Sequence, residues 1–265
     1  ALLSNTGEDR DPFKNVFIQE CEQMRNLCDL IRKNTFDIKE ASEGRLTMSE
    51  AIEKLIDSIK LNKVPEKWVS DGFSTMRRLA SWIISLDLRI SQLKYFETDL
   101  VIPKIVFVNR LFNPLSYLTA IRQVFAQKNN LELDKIVIIT EPTNIFLDNT
   151  QDVLPLQKDN FYVYGFHLQG ARWDEENKYI DESKPREDFC PMPVINCKGF
   201  DSLLGKLEEG KSNYLCPVYK TTDRMWTYVT TAIFKTKMNP NKWRIAGVAV
   251  ILDVEKTDFV TKFPK

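Results

Sequence analysis

Histidine is almost missing from this chain of 265 residues, where His167 stands alone. Any Ser-His-Asp or Cys-His unit would have to use that imidazole, which sits in a strand-like pattern beside Phe166. The nucleophile signature GxSxG is absent as well. Glycine is scarce at 9 residues, and neither GxxxxGK(S/T) nor GxGxxG occurs. No loop therefore presents clustered backbone amides to a phosphate, and nucleotide hydrolysis by this chain alone is not expected. Cys21, Cys28, Cys190, Cys197 and Cys216 form no CxxC, and no HxxxH accompanies them. An odd set of this kind reads as reduced, buried thiols rather than a zinc site or a disulfide framework. Charge of one sign is missing too: 37 basic residues balance 37 acidic ones. With no run of five or six like charges, neither nucleic acid nor an anionic membrane is an expected partner. No apolar run approaches the roughly 20 residues of a bilayer span. Ala1-Leu2-Leu3-Ser4 is too short for a secretory h-region, and a first residue other than Met fits a piece of a longer chain.

What is present is patterned. The 43% hydrophobic content suffices for one large domain or two small ones. Asp11-Pro12 makes an N-cap and first-turn pair, followed by Phe17, Cys21, Met24, Cys28 and Ile31 at helical spacing. Thr47-Met48-Ser49-Glu50 reads as a capping box ahead of Ile52, Leu55, Ile56 and Ile59. The longest stripe is Met76, Leu79, Ile83, Leu86, Ile90 and Leu93; Asn113-Pro114 then opens a helix with Tyr117, Leu118, Ile121, Val124 and Phe125 on one face. Each stripe is too short for a sustained coiled-coil seam, so packing within a helical layer is the expectation.

The period changes near Lys135. Ile136 to Ile139 is β-branched, and Tyr162, Tyr164, Phe166 and Leu168 alternate as along one strand. Pro193 to Cys197, Tyr214 to Lys220, Thr227 to Lys235 and Ile245 to Val254 are further strand candidates. Turn-like stretches at Asp174 to Lys178, Gly199 to Asn213 and Asn239-Pro240-Asn241 separate them, and Glu141 to Asn160 is the expected junction. Strands in succession without long intervening helices predict an α+β architecture: a helical subdomain over 1–133, then an antiparallel β-barrel-like subdomain over 134–265.

Candidate functional residues are few. Asp174, Glu175 and Glu176 could pair as carboxylates, but beside Asn177 and Lys178 they read as a solvated hairpin turn. Arg172 and Trp173 are of the types enriched in interface anchors; the competing expectation is a Trp that closes the strand end, with Arg172 and Asp174 fixing it locally.

Tyr164 to Asp174 reads YGFHLQGARWD and resembles the YGLxxEGARWD segment of axonemal dynein heavy chains. In the same order, Val64 to Trp68 resembles VPxxW, Leu79 to Trp82 LASW, and Phe112 to Ile121 FNPQSFLTAI. Pro191 to Ile195 matches PMPVI, Tyr214 to Thr221 YxCPVYKT, and Trp243 with Ala246 to Ala249 fits WxxAGVA. The FNP and YxCPVYKT forms are similar to the outer-arm class. The family's W-x-x-G-F stretch is Phe107 to Leu111 here, and its acidic residue before GARWD is Gln169.

The resemblance implies a C-terminal region of helices followed by a barrel-like subdomain, packed on the ring of AAA-type ATPase modules that precedes it in the heavy chain. It implies no catalytic, cofactor or metal residue in this region. ATP and magnesium are expected in the upstream ring of the parent chain. Arg172, Trp173, Asp174 and Trp243 become candidate structural or ring-interface residues. The implied role is structural and regulatory, in a microtubule motor that drives ciliary or flagellar beating, placed in the cytoplasmic cytoskeleton of the axoneme. Its expected partners are that ring, other dynein subunits and, through the parent chain, microtubules. The competing reading is an independent protein or enzyme on the same fold: an exposed apolar patch favours docking, a polar pocket around His167 the enzyme.

Overall fold

The computed structural model describes residues 11–73, 75, 77–99, 102–147, 161–201 and 213–254. Ala1 to Ser4, Met76 and most of the expected junction before Asn160 lie outside the described residues, as does the greater part of Gly199 to Asn213. The protein forms two compact units, one over 17–101 and the other from 5–16 with 102–265. The expected boundary at 133/134 marks a change of periodicity; the compact units part near residue 101 instead.

The first unit is helical: α1 (Pro12–Ser42, from Phe17 onward), α2 (Glu50–Lys60), α3 (Glu66–Asp71) and α4 (Leu79–Asp99). Asp11 caps α1 as expected, its Oδ1 accepting the Phe13 amide at 2.9 Å. α2 is capped by Ser49, whose hydroxyl accepts from the Ile52 amide at 3.4 Å. That places Glu50 in the first helical position, so the expected capping box is not formed. Asn62, at φ 54, starts α4: its carbonyl accepts from Leu79 at 3.0 Å and its side chain from Ala80 at 3.1 Å.

Aromatic rings build this unit's core. Trp82 is stacked between Trp68 (5.9 Å) and Phe73 (5.1 Å), and Phe17 meets Phe96 at 5.0 Å. Trp68 Nε1 donates to Asn34 Oδ1 at 2.8 Å. The inward face of α4 is Leu79, Trp82, Arg89, Leu93 and Phe96, with Ile83 exposed, so the expected stripe is rotated. Two large rings remove more apolar surface from water than isoleucines can, and they set the helix orientation. Arg89 is buried on that face with its guanidinium 3.8 Å above the Phe73 ring.

Among the described residues the second unit carries α5 (Pro114–Asn129), α6 (Pro240–Ile245) and eleven short strands in three sheets. The four-stranded sheet joins β1 (Ile105–Phe107), β3 (Phe161–Tyr164), β8 (Ile195–Asp201) and β2 (Ile136–Pro142), in that order. Asn113 caps α5 by accepting the Ser116 amide at 3.2 Å. α5 packs on this sheet so closely that a Cβ on Gly199 would lie 2.3 Å from Phe125 Cγ. Arg122 donates to the carbonyls of Leu133 (2.9 Å) and Ile136 (3.0 Å), fixing the entry to β2.

The five-stranded sheet runs β10 (Tyr228–Lys235), β9 (Asn213–Tyr219), β11 (Ala249–Ile251), β4 (His167–Gln169), β7 (Phe189–Pro191). β5 (Arg172–Asp174) and β6 (Tyr179–Asp181) form a separate ribbon. The α+β class is as expected, but neither large sheet closes into a barrel among the described residues. Nor is pairing purely antiparallel: β1 with β3 and β11 with β9 are parallel, each joined through a segment containing a helix. Thr140 Oγ1 links the sheets, donating to the Ile233 carbonyl at 3.0 Å and accepting its amide at 2.8 Å.

Two expected strands are broken. Gly165, at φ 102, splits Tyr162 to Leu168 into β3 and β4, which enter different sheets. Asn239-Pro240-Asn241 is not a bare turn: Asn239 Oδ1 accepts the Asn241 amide at 2.9 Å and starts α6. The predicted strand from Ile245 therefore shortens to β11.

Candidate functional site

Arg172, Trp173 and Asp174 all lie on β5, paired across the ribbon with Asp181, Ile180 and Tyr179. Alternation on a strand sends Trp173 inward, where it is 3% exposed and faces Phe234 of β10 at 6.2 Å. Among the described residues its buried indole N–H has no hydrogen-bond partner, and neither has Arg172 Nε. Asp174 closes the turn. Its Oδ1 accepts the amides of Glu176 and Asn177 at 3.0 Å each, and its Oδ2 accepts from the Asn177 side chain at 2.9 Å. Those Asn177 bonds hold its carboxyl below the usual carboxylate range. Lys178, at φ 58, completes the reversal by donating its amide to the Asp174 carbonyl at 2.9 Å.

Trp243 is buried on α6 and donates its indole N–H to Thr236 Oγ1 at 2.7 Å. Thr236 also bridges to Ile180 of β6. The end of β10 thus brings the two tryptophans to one junction, Trp173 through Phe234 and Trp243 through Thr236. Each makes these contacts inside the second unit.

The chemistry open to this region is slight. Burial pushes the Cys21 thiol up to about 11, with Glu97 adding to it, and Cys197 up to about 12. Burial raises Cys28, Cys190 and Cys216 in the same direction. All five thiols are free and held in the protonated, poorly nucleophilic form. Among the described residues, no three His, Cys, Asp or Glu side chains gather as metal ligands. His167 lies in β4 between Pro191 and Ile251 in register. No helix among the described residues is long and apolar enough to cross a membrane.

Sequence reasoning missed the exposed apolar groups. Ile84 (64%), Leu88 and Tyr95 lie outward on α4, while Met225, Trp226 and Tyr228 crown the β9–β10 hairpin. The signal for the second group was readable: a Met-Trp pair in a connection between two strands, where polar residues and glycine are usual.

Comparison with known proteins places the chain in a family. A sequence profile described as the C-terminal domain of dynein heavy chains matches residues 3–252. The flagellar outer-arm dynein beta chain of Chlamydomonas reinhardtii is 38% identical over 250 residues, covering 94% of this chain and 5% of that protein. Human dynein axonemal heavy chain 17 is 37% identical over 254 residues, 96% of this chain and 6% of that one. The Chlamydomonas outer-arm alpha chain is 33% identical over 252 residues, 92% of this chain and 6% of its own length. This protein belongs to the family of C-terminal domains of dynein heavy chains, and its relatives include axonemal heavy chains of the outer arm. It spans about a twentieth of the length of the relatives it matches.

Proposed function

We propose that this chain is a non-catalytic structural and regulatory module. In this reading it packs on the ATPase ring of its own heavy chain, in a microtubule motor of the axoneme that drives ciliary or flagellar beating. The observation that carries it is the family match over residues 3–252 in a sequence with no phosphate-binding loop. ATP and magnesium then bind upstream in the ring, and microtubules and other dynein subunits are reached through the parent chain. Thiols suppressed by burial, and Trp173 and Trp243 committed to internal contacts, support a packing role over a chemical one. A module of this kind regulates only by binding two ring conformations with different affinity.

Two measurements test it. The isolated domain should show no ATP turnover above buffer, with or without microtubules. Truncating the heavy chain before this region should leave ATP hydrolysis present but change its microtubule-stimulated rate. Turnover that purifies with the isolated domain and is lost on mutating one of its own residues would refute the reading.

A further inference from the structure

The β9–β10 hairpin ends in a loop braced by its own hydrogen bonds. The Lys220 amide donates to the Thr227 carbonyl at 2.8 Å. The Asp223 carbonyl accepts from the Thr221 and Thr227 hydroxyls at 3.1 and 2.5 Å, and its Oδ1 accepts the Met225 amide at 3.2 Å. This bracing holds Trp226 at φ 65, in the left-handed region that a bulky L-residue avoids. It also leaves the residue 95% exposed, flanked by exposed Met225 and Tyr228. Arg224 ties the loop to β4 and lies beside the turn after α6. Its Nη2 donates to Gln169 Oε1 at 2.8 Å, and its Nη1 lies 3.7 Å from where a Cβ on Gly247 would stand. Ile245, two residues before that glycine, is 88% exposed.

A single exposed apolar side chain needs no explanation. An indole held outward on a strained but over-determined loop, amid other exposed apolar groups, is a pointer to function. Two arginines stand beside these apolar groups in sequence, Arg224 before Met225 and Arg244 before Ile245. Arg224 bonds the neutral Gln169, and Arg244 bonds the neutral Asn241 Oδ1 at 3.4 Å, so neither bond cancels the guanidinium charge.

We propose that Trp226, with Met225, Tyr228 and Ile245 and the adjoining Arg224 and Arg244, docks this domain into an apolar pocket with an acidic rim. That pocket lies in the part of the heavy chain that precedes the domain. The proposal rests on the function proposed above. The match covers only 5% of the Chlamydomonas beta chain, so relatives carry a large surface of the same polypeptide outside this region. Tryptophan is the side chain most enriched at interface centres, and a loop already fixed in position loses little freedom on docking. Paired carboxylates on the rim would meet the two guanidinium groups in charge-assisted bonds.

The test places a benzophenone amino acid at position 226 of the full-length heavy chain. Parallel variants carry it at position 84 on α4 and at position 175 in the exposed β5–β6 turn. Each is irradiated in dilute solution and its cross-links are mapped by mass spectrometry. Position 226 should cross-link to preceding segments of the same polypeptide, beside Asp or Glu, at least about tenfold more than position 175, as an anchor residue would. Arg224→Gln with Arg244→Gln should lower that yield several-fold and make it less sensitive to salt. Cross-links to the ring from position 84 but not from 226 would overturn this docking surface and leave the proposed function standing. Cross-links from none of the positions would overturn both. Capture of a different polypeptide at 226 would overturn the assigned partner, and a double variant with unchanged yield and salt dependence would remove the acidic rim.

Discussion

Truncating Trp173 to alanine separates a structural tryptophan from a docking one. Removing a buried aromatic side chain costs about 3–5 kcal/mol through lost transfer energy and the cavity left behind. The truncation strips away the packing against Phe234, whose ring lies 6.2 Å away and tilted by 57°. Against this, the buried indole N–H has no partner among the described residues. An orphan donor costs roughly 1–3 kcal/mol in the native state, and alanine removes it. Taking the middle of each range, the net loss is about 2 kcal/mol. Trp173→Phe keeps a ring against Phe234 and also removes the orphan donor, so it should lie within about 1.5 kcal/mol of the parent. Urea unfolding followed by circular dichroism reads both variants, with equal slopes required for the comparison. A cycle combining Trp173→Ala with Phe234→Ala should give a coupling of about 0.5–1.5 kcal/mol. A loss below about 0.5 kcal/mol for Trp173→Ala, the scale of a surface change, would refute the structural reading and return this residue to the interface.

Gly165→Ala should cost about 2–4 kcal/mol, because its Cβ would stand 2.4 Å from Asn109 Oδ1 at φ 102. Adding Asn109→Ala should recover only the steric part, and full recovery in thermal unfolding would contradict the backbone argument. Gln169→Glu should gain about 0.5–1 kcal/mol by making the bond to Arg224 charge-assisted. That carboxyl would be depressed in the folded state, so the gain should be present above about pH 4.3 and vanish as pH falls; a gain independent of pH would show the pair does not form. Asp174, held below its ordinary value by Asn177, contributes stability above its unfolded pKa that is lost as pH falls through the folded one. Asp174→Asn should therefore lower stability at neutral pH, change it little once the parent carboxyl is protonated, and so flatten the acid limb below about pH 4; an unaltered limb would exclude this carboxyl as a contributor.

Much of this fold was legible because local signals and tertiary packing agree. Asp11-Pro12 and Asn113-Pro114 cap helices where the residues demand it, and β9 and β10 form where alternation predicts them. The failures lie where long-range packing outweighs local pattern. The α4 stripe of Ile83, Leu86 and Ile90 is regular, yet the stacking of Trp82 between Trp68 and Phe73 turns the helix to another face. Periodicity scales count an arginine as outward, so they cannot anticipate Arg89 beneath that face. Tyr162 to Leu168 alternates without interruption, and only the left-handed Gly165, packed on Asn109, divides it between sheets. That packing draws on Phe107 to Leu111, the stretch where the sequence departs from the family's W-x-x-G-F. For the candidate site, the types of Arg172, Trp173 and Asp174 were visible, but the inward commitment of Trp173 depends on Phe234 of β10, about sixty residues away.

The same commitment bears on the proposed regulatory role. Trp173 and Trp243 end on Phe234 and Thr236, so any force applied to the β5–β6 ribbon or to α6 passes into β10. β10 is one arm of the hairpin that carries Trp226 at its tip. A docked tip would thus report to the packed sheet rather than to a loose loop, since well-packed interiors transmit strain. For such a contact to alter a motor cycle, its strength must differ between two conformations of whatever it docks against. An anchor that contributes about 2 kcal/mol in one conformation and nothing in the other shifts the balance roughly thirtyfold. The complete loss of that shift in Trp226→Ala, with unfolding of the domain unchanged, is the outcome this coupling requires. Equal changes in both conformations would make the hairpin an attachment point without regulatory effect.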